Sequence, residues 1–100
     1  MRNKLENLSK IKPQIKIDNP KFYKLILLND DFTTMDFVVK ILVMFLNKNY
    51  NEAKLLMLEV HNNGSAICGE FPKDVAETLQ AKIHNYSHQN KQPLKCIIKS

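Results

Sequence analysis

The sequence contains only two glycines and two cysteines among its 100 residues. A phosphate-cradling loop needs several glycines close together, so this scarcity excludes one. The cysteines, Cys68 and Cys96, sit in apolar contexts and show no CxxC spacing. A zinc site usually takes four ligands, and a secreted domain this small usually carries more bridges. Both are expected to be reduced core thiols, with no metal and no cofactor. No apolar run approaches the ~18 residues of a membrane span. Residues 1–21 contain no apolar segment of the secretory-signal kind. These absences predict a soluble protein that stays where it is made, with no membrane partner.

The hydrophobic fraction is 44%, enough for one modest core, and the length suits one domain. The formal net charge is +5, which raises the question of nucleic acid. Its distribution answers against it. Residues 1–22 hold six basic residues and two acids, whereas the rest holds nine lysines against eight acids. A groove-binding domain should carry a basic stripe on its folded surface, and here the excess lies in the terminal segment. Residues 1–22, with Pro13 and Pro20 and few strong hydrophobes, read as a flexible basic extension. Residues 23–100 read as the folded domain.

Residues 23–28 form an apolar run too continuous for clean alternation, which predicts a central strand. It stops at Asn29-Asp30-Asp31, a turn-favouring triplet. Thr33 and Asp36 fit an N-terminal capping pattern, and Val38, Ile41, Leu42 and Phe45 recur at helical spacing over 35–46. A second helix is expected over 52–62, capped by Asn51 and stopped at Asn63-Gly64. Residues 65–71 read as a strand. Pro72 suits the first turn of a third helix, with Val75, Leu79, Ile83 and Tyr86 as its buried stripe. Residues 94–98 complete the order β-α-α-β-α-β. The expected fold is α+β, a two-layer sandwich of three helices on a three-stranded antiparallel sheet.

Few residues offer catalytic chemistry. His61 and Cys68 have the residue types of a base and a nucleophile, but Cys68 lies inside a predicted strand and no oxyanion-hole glycine pattern accompanies them. His84 and His88 share a helical face, but no carboxylate or thiolate joins them, and they read as solvent-facing. The expectation is a non-enzyme with no catalytic residue. Asn29-Asp30-Asp31 leaves a buried strand and enters a capped helix, so it sits on a rim held by rigid elements. Turn and cap chemistry alone would also explain it. Met57, Val60 and His61 share a helix face that suits a pocket wall with a polar edge, or equally a core stripe ending in a histidine.

The segment Leu28-Asn29-Asp30-Asp31-Phe32-Thr33-Thr34-Met35-Asp36-Phe37-Val38 resembles the signature of the Clp protease adaptor protein S (ClpS) family. So do Leu56-Met57-Leu58-Glu59-Val60-His61-Asn62-Asn63-Gly64, Cys68-Gly69, Val75-Ala76-Glu77-Thr78 and Pro93-Leu94-Lys95-Cys96. The blocks keep the family's order and spacing. The resemblance implies an adaptor for N-degrons, proteins whose free first residue is Phe, Leu, Tyr or Trp. It implies delivery to a Clp-family AAA+ unfoldase, through that partner's N-terminal domain, and a bacterial cytoplasmic setting. By motif match, Asn29, Asp30 and His61 would grip the α-amino group. Thr33, Met35, Val38, Met57, Val60 and Leu94 would line the side-chain pocket, with Asp31 in support. The N-terminal extension would serve in delivery.

The residue types agree with that implication. An α-ammonium has three donors and one charge, and an amide carbonyl, a carboxylate and a neutral imidazole supply three acceptors and one compensating charge. Two positions depart from the family. Thr34 stands where proline is usual, and Leu79 where a lysine often belongs to the unfoldase-docking surface, although Asp74 keeps an acidic residue there. Two other readings compete: a translation-associated domain resembling the C-terminal domain of the large ribosomal subunit's stalk protein, which has no use for Asn29, Asp30 and His61 together, and a nucleic-acid binder acting through the basic extension.

Overall fold

The structure is a computed structural model that describes residues 21–100. The expected extension over residues 1–22 therefore lies outside the described residues, except for Lys21 and Phe22. The elements run β1 (Phe22–Leu28), α1 (Met35–Phe45), α2 (Tyr50–Asn63), β2 (Ser65–Pro72), α3 (Lys73–Gln89) and β3 (Lys95–Lys99). The sheet is antiparallel in the order β2-β1-β3, so the most apolar strand is the central one. Leu25 pairs with Gly69 and Ile26 with Ile67, which leaves Cys68 as the extra residue of a β-bulge.

One face of β1 carries Leu25 and Leu27, both fully buried. They meet Ile41 and Leu42 of α1, Val60 of α2 and Ile83 of α3 in a single core cluster. Truncating a fully buried branched residue such as Ile41 or Ile83 to alanine should destabilise the fold by about 2–5 kcal/mol. Tyr86 joins α3 to α1. Its ring stacks on Phe37 at 5.8 Å between centroids and takes the edge contact of Phe45 at 5.6 Å.

The first helix starts at Met35, as the sequence predicts, but the helix caps and the starts of α2 and α3 differ from expectation by one or two residues. The α1 cap is Thr34, whose Oγ1 accepts the Phe37 N–H at 3.2 Å. Thr33 instead turns its hydroxyl to Asp30. The α2 cap is Asn49 rather than Asn51, because Asn49 and Glu52 satisfy each other's orphan N–H groups in a capping box. Pro72 closes β2 and stands just before α3 instead of inside its first turn. The α3 stripe is also displaced. Ala76, Ile83 and Ser87 are buried, whereas Val75 is 45% exposed.

His84 corrects the picture of two solvent-facing histidines. It is half-buried, and its Nε2 accepts the Cys96 N–H at 3.1 Å, while Gln80 donates to the Cys96 carbonyl at 2.9 Å. Two side chains one helical turn apart thus engage the backbone of β3, an edge strand whose outward groups would otherwise invite pairing.

Candidate N-terminus-binding cavity

The site begins where β1 ends. Leu28 is the last paired residue of the strand, bonded in register to Ser65 on one side and Lys95 on the other. The next residue, Asn29, donates its N–H to the Gly64 carbonyl at 2.9 Å. Gly64 ends α2 in the left-handed conformation, with φ of 89° and its own N–H on the Val60 carbonyl. One glycine turn therefore brings the end of the central strand beside the last turn of α2, where His61 stands. Both Asn29 and His61 are exposed.

Asp30 organises the loop that follows. Its Oδ1 accepts the N–H groups of Phe32 at 2.8 Å and Thr33 at 2.7 Å. Its Oδ2 accepts the Thr33 hydroxyl at 2.6 Å. Partial burial, the largest single influence, opposes ionisation. The Thr33 hydroxyl, the Thr33 N–H and the Phe32 N–H together outweigh it and hold the carboxyl below the usual aspartate range. A carboxylate offers about four acceptor positions. Three are used inside the loop, and Oδ2 keeps one for an incoming donor.

These elements enclose a cavity of about 220 Å³ lined by Asn29, Asp30, Asp31, Thr33, Met35, Val38, Met57, Val60 and His61. Acceptors gather at one end, and Val38, Met57 and Val60 form an apolar wall between α1 and α2. Met35, the first residue of α1, is 43% exposed at the rim. Ionised Asp30 makes this end attractive to a cation, and the carbonyl end of α2 adds partial negative charge. Among the described residues no group of three or more His, Cys, Asp or Glu side chains is placed to hold a metal ion. Cys68 and Cys96 are free and buried.

Of the nine residues singled out from sequence for the two parts of the pocket, eight line this cavity. Leu94 does not. It is buried in the core just before β3 and borders a separate groove with Gln80, His84 and Pro93. Asp74 lies elsewhere, exposed in the first turn of α3 beside Val75, Thr78, Leu79 and Lys82. Sequence reading missed Gln92, whose Oε1 accepts the Thr34 N–H at 3.1 Å. The two are 58 residues apart, and no local pattern links them.

Comparison with known proteins agrees with the architecture. Residues 18–97 match the family model of the ATP-dependent Clp protease adaptor protein ClpS. The chain is 44% identical over 90 residues to the ATP-dependent Clp protease adapter protein ClpS of Wolinella succinogenes, covering 90% of this chain and 88% of that one. It is 48% identical over 79 residues to the protein of the same name from Shewanella loihica, covering 79% and 78%. Among solved structures, Agrobacterium tumefaciens ClpS2 bound to L-phenylalaninamide superposes with a TM-score of 0.78 at 30% identity, covering 81% of this chain and 98% of that one. Family model, identity over most of the chain and fold coincide: the chain belongs to the ClpS family of Clp protease adaptors.

Proposed function

We propose that this protein is an adaptor that holds the free N-terminus of another protein and hands that protein to a Clp-family AAA+ unfoldase for degradation. The observation that carries the proposal is the cavity itself, where an ionised Asp30 with a vacant acceptor position adjoins an apolar slot. An α-ammonium would take Asp30 Oδ2, the Asn29 carbonyl oxygen and a neutral His61 nitrogen. The first side chain would enter between Val38, Met57 and Val60, with Thr33 and Met35 at its edge. At about 220 Å³ the slot is smaller than the ~300–1,000 Å³ of drug-sized ligand sites. It therefore suits one bulky side chain, such as Phe, Leu, Tyr or Trp, rather than a longer segment. Burying such a side chain contributes about 1.5–3 kcal/mol. The solved relative ClpS2 holds L-phenylalaninamide, a molecule that is a free α-amino group plus a benzyl side chain.

The chemistry is recognition and not bond-making. Docking to the unfoldase's N-terminal domain would use the α3 face around Asp74, with Leu79 as an apolar replacement in that patch. No described helix is long and apolar enough to cross a membrane, which fits a bacterial cytoplasmic setting. Residues 1–18 would act in delivery: their removal should leave peptide affinity within about twofold, because every proposed contact lies at Asn29 or beyond. The same truncation should nearly abolish unfoldase-dependent degradation of an N-degron substrate.

The test of the cavity is affinity for three peptides that differ only at the first residue: Phe, acetyl-Phe and Ser. Hydrogen bonds to a charged group are each worth about 1.5–3 kcal/mol. Acetylation removes the charge and two donors, so affinity should fall at least ~100-fold. Equal binding of all three would sink the proposal.

A further inference from the structure

The loop that presents Asn29 and Asp30 is fixed at three points. Its start is tied by the Asn29 N–H to the Gly64 carbonyl, and its middle by Asp30 to Phe32 and Thr33. Its end is tied by the Thr34 N–H to Gln92 Oε1 at 3.1 Å. The first tie is backbone to backbone, and the second is internal to the loop. Only the third uses a side chain from a distant part of the chain.

Gln92 is itself held in place. Beyond α3 the chain makes a tight stop, with Lys91 at φ of 58° and its N–H on the His88 carbonyl. The Gln92 N–H then reaches back to the Ser87 carbonyl at 2.8 Å, and Pro93 follows with its fixed φ. The Ser87 residue that receives this bond is 1% exposed, so the support behind Gln92 belongs to the packed body of the protein. The side chain is thus anchored at its base and aimed at the one amide that joins the binding loop to α1. Thr34 occupies a decisive place. Its N–H takes Gln92, and its Oγ1 caps α1 through Phe37. A shift of Thr34 therefore moves Thr33, whose hydroxyl and N–H both hold the Asp30 carboxylate, and Met35, which stands at the cavity rim.

We propose that Gln92 is a positioning residue for N-terminus recognition: it pins the Thr34 amide and so sets where Asp30 and Met35 stand. Gln92 touches no bound N-terminus and acts only through Thr34. The inference rests on the N-terminus-binding reading for its functional consequence, and on the hydrogen bond alone for its mechanical part.

The experiment has two readouts on the full chain. The first is amide hydrogen exchange at Thr34 without any peptide. Gln92→Ala should speed exchange of that amide by about threefold to tenfold, the range of one modest hydrogen bond, while the amides of α1 beyond Phe37 keep their rates. The second is the affinity of a peptide beginning with Phe. Gln92→Ala should weaken it by about threefold while the protein stays fully folded under the assay conditions, and Gln92→Glu, which keeps an acceptor oxygen, should restore the native value. Thr34→Pro removes the donor N–H, so Gln92→Ala should have no further effect in that background. An unchanged Thr34 exchange rate in Gln92→Ala overturns the tether, whatever the peptide result. An equal loss of affinity with and without the Thr34 N–H overturns the positioning role. If the native protein fails to bind the Phe peptide while Thr34 exchange does respond, the N-terminus reading and the positioning role fall together and the tether stands.

Discussion

The Thr33 hydroxyl donates to Asp30 Oδ2 at 2.6 Å, and the Thr33 N–H donates to Asp30 Oδ1 at 2.7 Å. One threonine thus occupies both oxygens of the acid three residues before it. With the Phe32 N–H also on Oδ1, the carboxylate cannot rotate away without breaking three bonds, so its remaining acceptor position points in a constant direction. An acid held in this manner meets an ammonium without first having to be ordered, which removes part of the entropy of binding.

Asp30→Asn should therefore damage both the loop and the site. The folded protein holds the Asp30 carboxyl below its ordinary pKa. A depressed pKa means that the group's stabilising contribution is fully present above the unfolded-state value of ~3.9 and is lost as pH falls through the folded value. The stability gap between the native protein and Asp30→Asn should be constant from pH 7 to 5 and shrink below about pH 4. Urea midpoints measured at pH 7 and pH 3 check this. A gap that widens in acid would contradict the assignment. Affinity for a peptide beginning with Phe should fall at least tenfold at pH 7, because a hydrogen bond to a charged group is worth ~1.5–3 kcal/mol.

The elements were readable because their signals are local. The β1 run, the α1 stripe of Val38, Ile41 and Leu42, and the Asn63-Gly64 stop each depend on neighbours in sequence. Cap positions were less readable, since Thr33 and Thr34 have the same chemistry, and only Asp30 decides which of them faces the loop. Likewise Asn49 and Asn51 are both good caps, and Glu52 three residues after Asn49 selects the former. The cavity residues emerged from motif resemblance more than from pattern. Spacing could not show that Leu94 would turn into the core, or that Gln92 and His84 would reach across to Thr34 and Cys96. Those contacts form only after the sheet closes.

Gly64 supports a second prediction. Its φ of 89° lies in the left-handed region, while a Cβ placed there would meet nothing within 4 Å. The penalty of Gly64→Ala is then backbone strain alone, about 1–2 kcal/mol. Gly64→Asn should lose less, because asparagine tolerates this conformation. Both can be read from denaturant midpoints. A larger loss for asparagine than for alanine would point to a steric cause that the structure does not contain. The Gly64 carbonyl also receives Asn29, so Gly64→Ala should weaken peptide binding along with stability.

The thiols offer a third. Burial pushes Cys68 up to about 11, and burial with the neighbouring Cys68 pushes Cys96 up to about 12. An unfolded cysteine titrates near ~8.5, and the thiolate is the reactive form. At pH 8 the folded protein should react with an aromatic disulfide reagent at least ~100-fold more slowly than the urea-unfolded chain, which should release two equivalents. Rapid release from the folded protein would mean that one thiol is accessible.

Met35 supplies the last prediction, which concerns selectivity. It starts α1, is 43% exposed, and lines the cavity beside Thr33, one turn before the buried Val38. On the proposed mode of binding, an incoming side chain would pass Met35 before it reaches Val38, Met57 and Val60. A side chain branched at Cβ carries its second heavy atom next to the peptide backbone, at the level of the rim, and has little χ1 freedom to move it aside. Leu and Phe branch further out, inside the apolar slot. Met35→Ala removes the bulk at the rim, so Ile and Val should gain about fivefold relative to Leu, corresponding to roughly 1 kcal/mol of relieved overlap. Phe should lose a few-fold through the missing contact. Because Met35 is 43% exposed at the rim and lies outside the buried core, the unfolding free energy should stay within about 1 kcal/mol of the native value. Met35→Leu keeps most of the volume and should keep the native order of preference. Competition binding with four peptides beginning with Phe, Leu, Ile and Val, against one labelled reference, reads the whole pattern. An unchanged ranking in Met35→Ala would show that selectivity against branched residues is set deeper, by Val38, Met57 and Val60, and not at the rim.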